Sequence, residues 1–458
     1  MNISKISTTI GIVILGVSAI CIYLFADIDY QAKIAILVMM LAVILWVTDW
    51  MPGVGTGFLC IILLVACGGV NSLSEGVIGF SKPICYFLIG ILAIGYAVKR
   101  SGLADRVANY IIGLSLGNPV LLYFQMLGSF VVLTFFLPSA TTRGAIIVNM
   151  YEEVLDTWNV PKSHPFHKML MLAMLALNRC ASTALLAGGI TPVVASGLMG
   201  DFSWIEWFVI MSIPFYANLF VGGIIIYVWY RKGAKSVQMM PYKLPPAKPI
   251  TIAEIKTIVI IFITVSLWFT DFIHGLHAAV PAVLALVLIM FPKIGVLTWE
   301  DLQEGIAWSN FFITATALSL GLSLLNSGGA DWLGSNMVDW GLKITNNATL
   351  LIIMMMILVG LARIAFNNIS SYLAIMIPIT MGFSDILGVS PLLAGFLTVV
   401  VGDSLIFYCA GTGSGLIIFE RSGLSNAEVF RFACVMLVAV VIIANILVLP
   451  YWKLIGFQ

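Results

Sequence analysis

The amino-acid sequence predicts an all-α polytopic membrane protein, with eleven transmembrane helices and two re-entrant hairpins arranged as two inverted-topology repeats. Composition is the first reason, because 61% of the 458 residues are hydrophobic and only 9% are charged. Soluble domains carry about 25% charged residues. A soluble core cannot bury this much apolar surface, so lipid must surround most of the helices. Two interrupted apolar runs and a likeness between the halves of the chain complete the prediction.

Eleven apolar segments are candidate spans. They are residues 8–25, 31–48, 53–69, 84–99, 168–199, 206–229, 252–270, 275–292, 309–326, 391–418 and 430–452. Two more apolar runs, 118–150 and 348–382, are interrupted by polar clusters, and we interpret each as a hairpin that enters and leaves on one side. The first segment follows Lys5 but ends without a small-residue cleavage site, so we expect a retained helix and not a signal peptide.

The basic residues support this topology and a location in the cytoplasmic membrane. With a cytoplasmic amino terminus and two re-entrant hairpins, fifteen lysines and arginines fall inside and four outside. This distribution obeys the positive-inside rule and places the carboxy terminus outside. The three remaining arginines, Arg143, Arg179 and Arg363, fall at membrane depth. The net charge of +1 gives no reason to expect a nucleic-acid partner.

The two halves of the chain resemble each other. FSKPICYFLIGILAIGYAVKRSGLAD (80–105) matches WSNFFITATALSLGLSLLNSGGAD (308–331), and SATTRGAIIVNM (139–150) matches NISSYLAIMIPI (368–379) at an offset of 229 residues. An odd number of crossings relates the copies, so we expect them to be inverted in the membrane. Inverted repeats with broken helices are typical of secondary transporters. No nucleophile–base pair or metal-ligand spacing is visible, so we expect neither an enzyme nor a metal site.

The repeats set the expected domain boundaries. Residues 1–229 form the first repeat, 230–250 a cytoplasmic linker and 251–458 the second repeat. The first repeat divides into scaffold spans (8–99), a re-entrant hairpin (118–150) and a broken helix (168–199). The second divides into scaffold spans (252–326), a hairpin (348–382), a broken helix (391–418) and a last span (430–452).

Polar clusters mark the tips of the two hairpins as candidate substrate sites. The first tip, LPSATTRGA (137–145), has a helix start where free N–H groups and the positive end of the dipole favour an anion. An arginine here is costly in lipid without a partner or water. The candidate residues are Ser139, Ala140, Thr141, Thr142 and Arg143 at this tip, and Asn367, Asn368, Ser370 and Ser371 at its twin. The alternative is that these residues only cap and pack the hairpins.

Two glycine-rich interruptions add to the candidate site. GGITP (188–192) and AGTGSG (410–415) lie inside apolar spans, where glycines and a Thr-Pro step favour local unwinding. Their exposed carbonyls could coordinate a cation, and their hydroxyls could bind a carboxylate. The residues expected to contribute are Thr191, Pro192, Thr412 and Gly413.

Three further segments carry a family resemblance. WVTDWMPGVGTGFL (46–59), AVKRSGLADRVA (97–108) and HGLHAAVPAVLALVLIMFPKIGVLTWEDLQ (274–303) are similar to segments of the divalent anion/sodium symporter (DASS) family of di- and tricarboxylate transporters. The hairpin tips and glycine-rich loops also lie where that family has its substrate and sodium motifs. The resemblance implies a homodimer in the bilayer, a small anionic substrate and an elevator motion of the domain that carries the hairpins.

The departures from the family pattern point to exchange without sodium. The family's two Ser-Asn-Thr motifs read Ser139-Ala140-Thr141 and Asn368-Ile369-Ser370 here, so both central asparagines are missing. A fixed guanidinium can replace the charge of a sodium ion and bind a carboxylate. The resemblance to bacterial exchangers within the family therefore implies sodium-independent exchange of C4/C5 dicarboxylates such as succinate, malate and 2-oxoglutarate.

The alternative function is a sodium-coupled di/tricarboxylate or sulfate symporter. No cofactor is expected, except for sodium, which would then lie near Ser139, Gly188, Asn368 and Gly411. Arg143 is the preferred substrate ligand among the arginines. Arg179, Arg363 and Asp403 are candidates for charge or coupling roles, and the alternatives are an Arg–Asp structural pair or arginines that bind backbone carbonyls.

Overall fold

We analysed the fold in a computed structural model of the chain. It describes residues 16, 22–23, 26–48, 50–113, 117–137, 140–237, 249–345, 347–366, 368–382, 384, 388–408 and 413–457. Nearly all of the predicted first span, 8–25, lies outside the described residues. The described part is helical throughout, with turns and short loops between helices. The prediction of an all-helical polytopic membrane protein is confirmed.

The first half of the chain contains nine helices of seven residues or more among the described residues. They are α1 (Tyr30–Thr48), α2 (Gly53–Ala66), α3 (Pro83–Ser101), α4 (Leu103–Gly113), α5 (Pro119–Phe136), α6 (Ala140–Thr157), α7 (Pro165–Thr183), α8 (Ile190–Met199) and α9 (Trp204–Ser236). Single helical turns at Leu73–Gly76, Ile78–Ser81 and Leu186–Gly188 connect some of them. Helix α9 continues into the predicted linker, because proline is absent from YRKGAKS (230–236).

The second half repeats this order. Its helices are α10 (Ile252–Phe269), α11 (Ala279–Met290), α12 (Trp299–Gly305), α13 (Trp308–Asn326), α14 (Gly329–Leu342), α15 (Ala348–Ala362), α16 (Ile369–Gly382), α17 (Pro391–Asp403), α18 (Gly413–Ser422), α19 (Asn426–Ile443) and α20 (Leu449–Leu454). A short turn at Asp271–His274 follows α10, and a π-helical segment, Ala444–Val448, joins α19 to α20. Among the described residues, six helices are long and apolar enough to cross a membrane: α1, α3, α9, α10, α13 and the continuous α19–α20.

Helix starts coincide with capping residues in the sequence. Helices α3, α5, α7 and α17 have a proline in their first turn, where its missing N–H costs no hydrogen bond. Helix α9 begins with a capping box in which Ser203 and Glu206 satisfy each other's backbone N–H groups. The same arrangement starts α10, with Thr251 and Glu254. These local signals explain why the predicted spans and the observed helices begin within a few residues of each other.

The two halves pack against each other through scaffold helices. Helix α3 packs on α11, and α13 packs on α2. At the first contact Gly90 brings the two backbones together, since a Cβ there would lie 2.5 Å from the carbonyl oxygen of Ala282. Helix α13 also contacts α8 and α16, which carry candidate site residues. The scaffold and the candidate site therefore share one packed interior.

The amphipathic connector α4 is tied to the second half by an ion pair. Arg106 donates from Nε to Glu254 Oε1 at 2.7 Å and from Nη2 to Glu254 Oε2 at 3.0 Å. Its Nη2 also donates to the carbonyl of Pro249 at 3.1 Å. This forked geometry is the strong form of an Arg–carboxylate contact. It fixes α4 to the beginning of α10.

The close contact at Gly90 predicts a stability difference between two glycine variants. Gly90→Ala should lower the stability of the detergent-purified protein by about 1–3 kcal/mol, because the methyl group must push α3 away from α11. Gly128→Ala in α5 is the control, since nothing lies within 4 Å of its added Cβ. The unfolding temperatures of the two variants test this. Equal temperatures would contradict the packing described here.

Candidate functional site

A cavity of about 450 Å³ lies between the scaffold and the hairpin-bearing helices. Its wall runs from the exposed Lys99, at the end of α3, to Asp403, which is fully buried at the end of α17. Helices α3, α12 and α13 form one side, contributing apolar residues together with Tyr96 and Asn310. Polar residues of the hairpins and broken helices form the other side. The volume is in the range that is usual for small-molecule sites.

Three helix starts meet at this cavity. The first residues of α6 (Ala140, Thr141 and Thr142) line it, as do Ile190 and Thr191 at the start of α8 and Ile369 and Ser370 at the start of α16. The first N–H groups of a helix have no partner within the helix, and the helix dipole is positive there. A cavity at which three such ends converge favours an anion.

The structure brings together many of the predicted site residues. On the cavity wall are Ala140, Thr141, Thr142, Arg179, Thr191, Asn368, Ser370 and Asp403. Away from the wall are Arg143, Gly188, Pro192, Arg363 and Ser371. Gly413 is the first residue of α18, and Ser139, Asn367, Gly411 and Thr412 lie outside the described residues. The roles of all these residues in substrate or sodium binding stay predictions.

The sequence reasoning missed the scaffold side of the cavity. Leu88, Ile91, Leu92, Tyr96 and Lys99 belong to an apolar span that gave no sign of facing a cavity. It also missed Ser182 and Thr183 of α7, both of which line the cavity. Their spacing was a usable signal, because they follow Asn178 and Arg179 by four residues and therefore share a helix face with them.

Arg143 is fully buried and clamps the first hairpin tip to α7. Its Nη1 donates to the carbonyl of Leu137 at 3.0 Å, where the first arm ends. Its Nε donates to Asn178 Oδ1 at 2.7 Å and its Nη2 to the carbonyl of Asn178 at 2.9 Å and to Ser182 Oγ. Asn178 in turn donates to the carbonyl of Ala140 at 2.9 Å. Arg143, which the sequence analysis preferred as a substrate ligand, thus donates these hydrogen bonds to other residues of the protein.

Arg363 makes a similar clamp at the second tip. Its Nη1 donates to the carbonyl of Phe366, where the second hairpin breaks. The guanidinium carbon lies 5.7 Å from the centre of the Tyr372 ring, within cation–π range. At the repeat offset of 229 residues, Phe366 matches Leu137 and Tyr372 matches Arg143. Equivalent carbonyls therefore receive a guanidinium at both tips, but from opposite arms of the hairpin.

Arg179 pairs with Asp403 on the wall of the cavity. Its Nη2 donates to Asp403 Oδ1, and Thr183 Oγ1 donates to Oδ2 of the same carboxylate. Thr191 Oγ1 also donates to Asp403 Oδ1, at 3.0 Å. The structural pair that the sequence analysis named as an alternative for Arg179 is therefore present. It joins the broken helices of the two halves, α7 and α17.

The helix breaks differ in detail from the prediction. The first break covers residues 184–189, with a turn at Leu186–Gly188, and α8 has begun by Ile190. The prediction of GGITP as the unwound loop is therefore wrong for Thr191 and Pro192, which lie in the first turn of α8. Proline is compatible with a first turn because no N–H is needed there. The second break begins after Asp403, and α18 begins at Gly413.

The protein is a polytopic membrane protein whose broken helices surround a cavity. This arrangement is typical of secondary transporters. Residues 4–458 match the family described as the sodium:sulfate symporter transmembrane region. The chain belongs to this family, which confirms the resemblance found in the sequence.

Individual relatives are distant. The chain is 23% identical over 408 residues to a citrate/succinate antiporter of Escherichia coli strain K12, covering 84% of this chain and 81% of that protein. It is 22% identical over 385 residues to an L-tartrate/succinate antiporter of the same strain, covering 80% and 77%. A membrane protein of Cupriavidus necator is 22% identical over 334 residues, and the match spans 69% of this chain but only 63% of that protein.

One solved structure shares the fold at low sequence identity. It is the YdaH transporter of Alcanivorax borkumensis, which superposes with a TM-score of 0.54 at 13% identity. The superposition covers 83% of this chain and 87% of that one. At this identity the likeness concerns the fold alone.

The clamp at the first tip predicts a large stability effect. Arg143→Gln should lower the stability of the purified protein by about 2–4 kcal/mol, because it leaves buried carbonyls without a donor. Arg421→Gln is the matched control, since the Arg421 side chain is 41% exposed and its loss should cost at most about 1 kcal/mol. Thermal unfolding in detergent measures both. A stable Arg143→Gln protein that only fails to bind substrate would contradict the clamp.

Proposed function

We propose that this protein is a secondary transporter that exchanges small divalent organic anions, with C4 and C5 dicarboxylates as the substrate class. The observation that carries the proposal is the cavity on which the first turns of α6, α8 and α16 converge. Three positive helix ends and fixed guanidinium groups suit a substrate with two carboxylates. The relatives named as succinate-exchanging antiporters support the same substrate class.

Exchange without sodium is the favoured mechanism. Asn368 Oδ1, a candidate sodium ligand, already accepts the N–H of Ser370 at 2.7 Å. Three arginines are buried close to the hairpin tips and broken helices, where they supply positive charge that sodium would otherwise bring. A site that stays positive when empty is slow to return across the membrane unless a new anion binds. That property favours obligate exchange.

Sodium-coupled transport of di- or tricarboxylates or sulfate is the second candidate. The description of the family as sodium:sulfate symporters favours it. The size of the cavity, about 450 Å³, argues for an organic anion, because a single inorganic anion needs a tighter enclosure.

We further propose eleven spans, two re-entrant hairpins and an elevator motion in a homodimer. The walls of the cavity support the motion, since one side is scaffold (α3, α12 and α13) and the other is built from the hairpins and broken helices. Sliding one group past the other would carry the anion across. Lys99 lines the cavity, is exposed and is one of the basic residues that we expect on the cytoplasmic face, and this supports an inward-open state as part of the proposal.

Transport into proteoliposomes tests the exchange mechanism. We expect uptake of labelled succinate when the vesicles contain unlabelled succinate, malate or 2-oxoglutarate, and little uptake into empty vesicles. Replacing external sodium by potassium should change the rate less than twofold, because fixed arginines supply the charge. Uptake into empty vesicles that requires a sodium gradient would establish the symporter instead. Sulfate uptake without dicarboxylate uptake would overturn the substrate class.

Lys99 should attract the substrate to the mouth of the cavity. Lys99→Gln should raise the KM for succinate about three- to tenfold at low ionic strength and leave the maximal rate unchanged. The difference should vanish near about 1 M salt, where the Debye length is about 3 Å. Arg100→Gln is the control, because it removes the same charge from a neighbouring exposed residue that does not line the cavity. Equal effects of the two variants would contradict a local role for Lys99.

A further inference from the structure

An acidic residue on the wall of an anion site requires an explanation. In the described part of the chain, the charged residues that line the cavity are Lys99, Arg179 and Asp403. Lys99 is exposed at the mouth, whereas Arg179 is 7% exposed and Asp403 0% exposed at the inner end. A buried carboxylate repels an anion beside it, and the repulsion is strong because little water screens it.

Three side-chain donors surround the carboxyl group of Asp403. Arg179 Nη2 and Thr191 Oγ1 donate to one oxygen, and Thr183 Oγ1 donates to the other. An ionised carboxylate is an acceptor only, which suits this set of donors. The donors come from both sides of the break between α7 and α8, so the charge is part of the architecture of the site.

The buried charges around the broken backbone sum to the opposite of a dicarboxylate, whereas the charge of the exposed Lys99 is screened by water and salt. Arg143, Arg179 and Arg363 contribute three positive charges, and Asp403 removes one. Within the described residues, Arg143 and Arg363 are hydrogen-bonded to neutral groups and take part in no ion pair, so their charges are not cancelled locally. Two further ion pairs, Lys168–Glu428 and Arg421–Glu152, do not line the cavity and are neutral as pairs. The remainder is two positive charges.

We propose that Asp403 determines the valence of the transported anion by lowering the charge of the buried groups around the broken backbone from three to two. This inference rests on the proposed function. With Asp403 ionised, a dianion neutralises the site, whereas a trianion leaves an excess negative charge in a low-dielectric interior. Selectivity then comes from an unfavourable interaction with the wrong substrate as much as from a favourable one with the right substrate.

The selectivity between succinate and fully ionised citrate tests this proposal. At alkaline pH, we expect Asp403→Asn to raise the ratio of citrate to succinate exchange, each as kcat/KM, by about tenfold or more. The double variant, Arg179→Gln with Asp403→Asn, removes one charge of each sign and should restore the wild-type ratio. Asp403→Glu keeps the charge and should also leave the ratio unchanged.

Asp271→Asn is the control for the loss of a buried acid. Asp271 is 7% exposed, accepts the N–H of Trp204 at 2.9 Å and does not line the cavity, so its substitution should not change the ratio. Asn310→Lys is a second test variant, to be used if Asp403→Asn does not fold. It adds a positive charge to the scaffold side of the cavity without breaking an ion pair, and it should raise the ratio in the same direction.

The possible results separate this inference from the proposed function. A ratio that does not rise in folded Asp403→Asn or Asn310→Lys protein, while the wild-type protein exchanges succinate, overturns the inference and leaves the function standing. A double variant whose ratio stays at that of Asp403→Asn also overturns it, because charge balance would not be the cause. Absence of succinate exchange by the wild-type protein overturns the function, and the inference with it.

Discussion

The breaks in the backbone of the apolar helices are the constraint on which the rest of this structure depends. A helix that stops inside the bilayer frees carbonyl and N–H groups, and lipid can satisfy neither. The first hairpin meets this requirement with Arg143 and Asn178, which together bind the carbonyls of Leu137 and Ala140 on both sides of the break. These carbonyls are thus bonded within the protein, and the first residues of the following helix, α6, line the cavity.

The two tips solve the same problem with different residues. The carbonyl of Leu137 receives a guanidinium from the second arm of its hairpin, and the carbonyl of Phe366 receives one from the first arm. Tyr372 occupies the repeat position of Arg143, and its ring lies beneath the guanidinium of Arg363. What the repeats share is a bond between a cation and the last carbonyl before the break. The position of the cation in the chain is free to vary.

The use of a guanidinium at each break has an electrostatic consequence. Arginine is always charged, so each clamp also places a full positive charge near the substrate cavity. Arg143 donates its hydrogen bonds to Leu137, Asn178 and Ser182, so its charge is held near the cavity by contacts within the protein. The ion pair of Arg179 with Asp403 lowers the total positive charge of these arginines and joins α7 to α17. The side chains that support the breaks are accordingly also the ones that place positive charge beside the cavity.

The sequence by itself determined that the protein is a helical membrane protein, where most of its helices begin, and that polar residues and three arginines interrupt its apolar runs. These properties are local, since composition, proline placement and capping residues act within a few residues of each other. The family could also be read from motifs. The residues at the start of α6 were found because a helix start is visible in the sequence, whereas those at the starts of α8 and α16 were found as polar or glycine-rich interruptions of apolar runs.

Only the tertiary structure decided which charged residues face the cavity. Arg143 and Arg179 both lie in polar interruptions of apolar helices. Arg143 is bonded to carbonyls and Arg179 lines the cavity, but the residues next to them in the sequence do not predict this difference. The partner of Arg179 is 224 residues away along the chain. The scaffold wall from Leu88 to Lys99 was equally hidden, because a helix that is apolar on all sides has no periodicity to show which face it turns toward a cavity. Long-range contacts and helix rotation set these features, and neither is encoded in a pattern that can be read along a single segment.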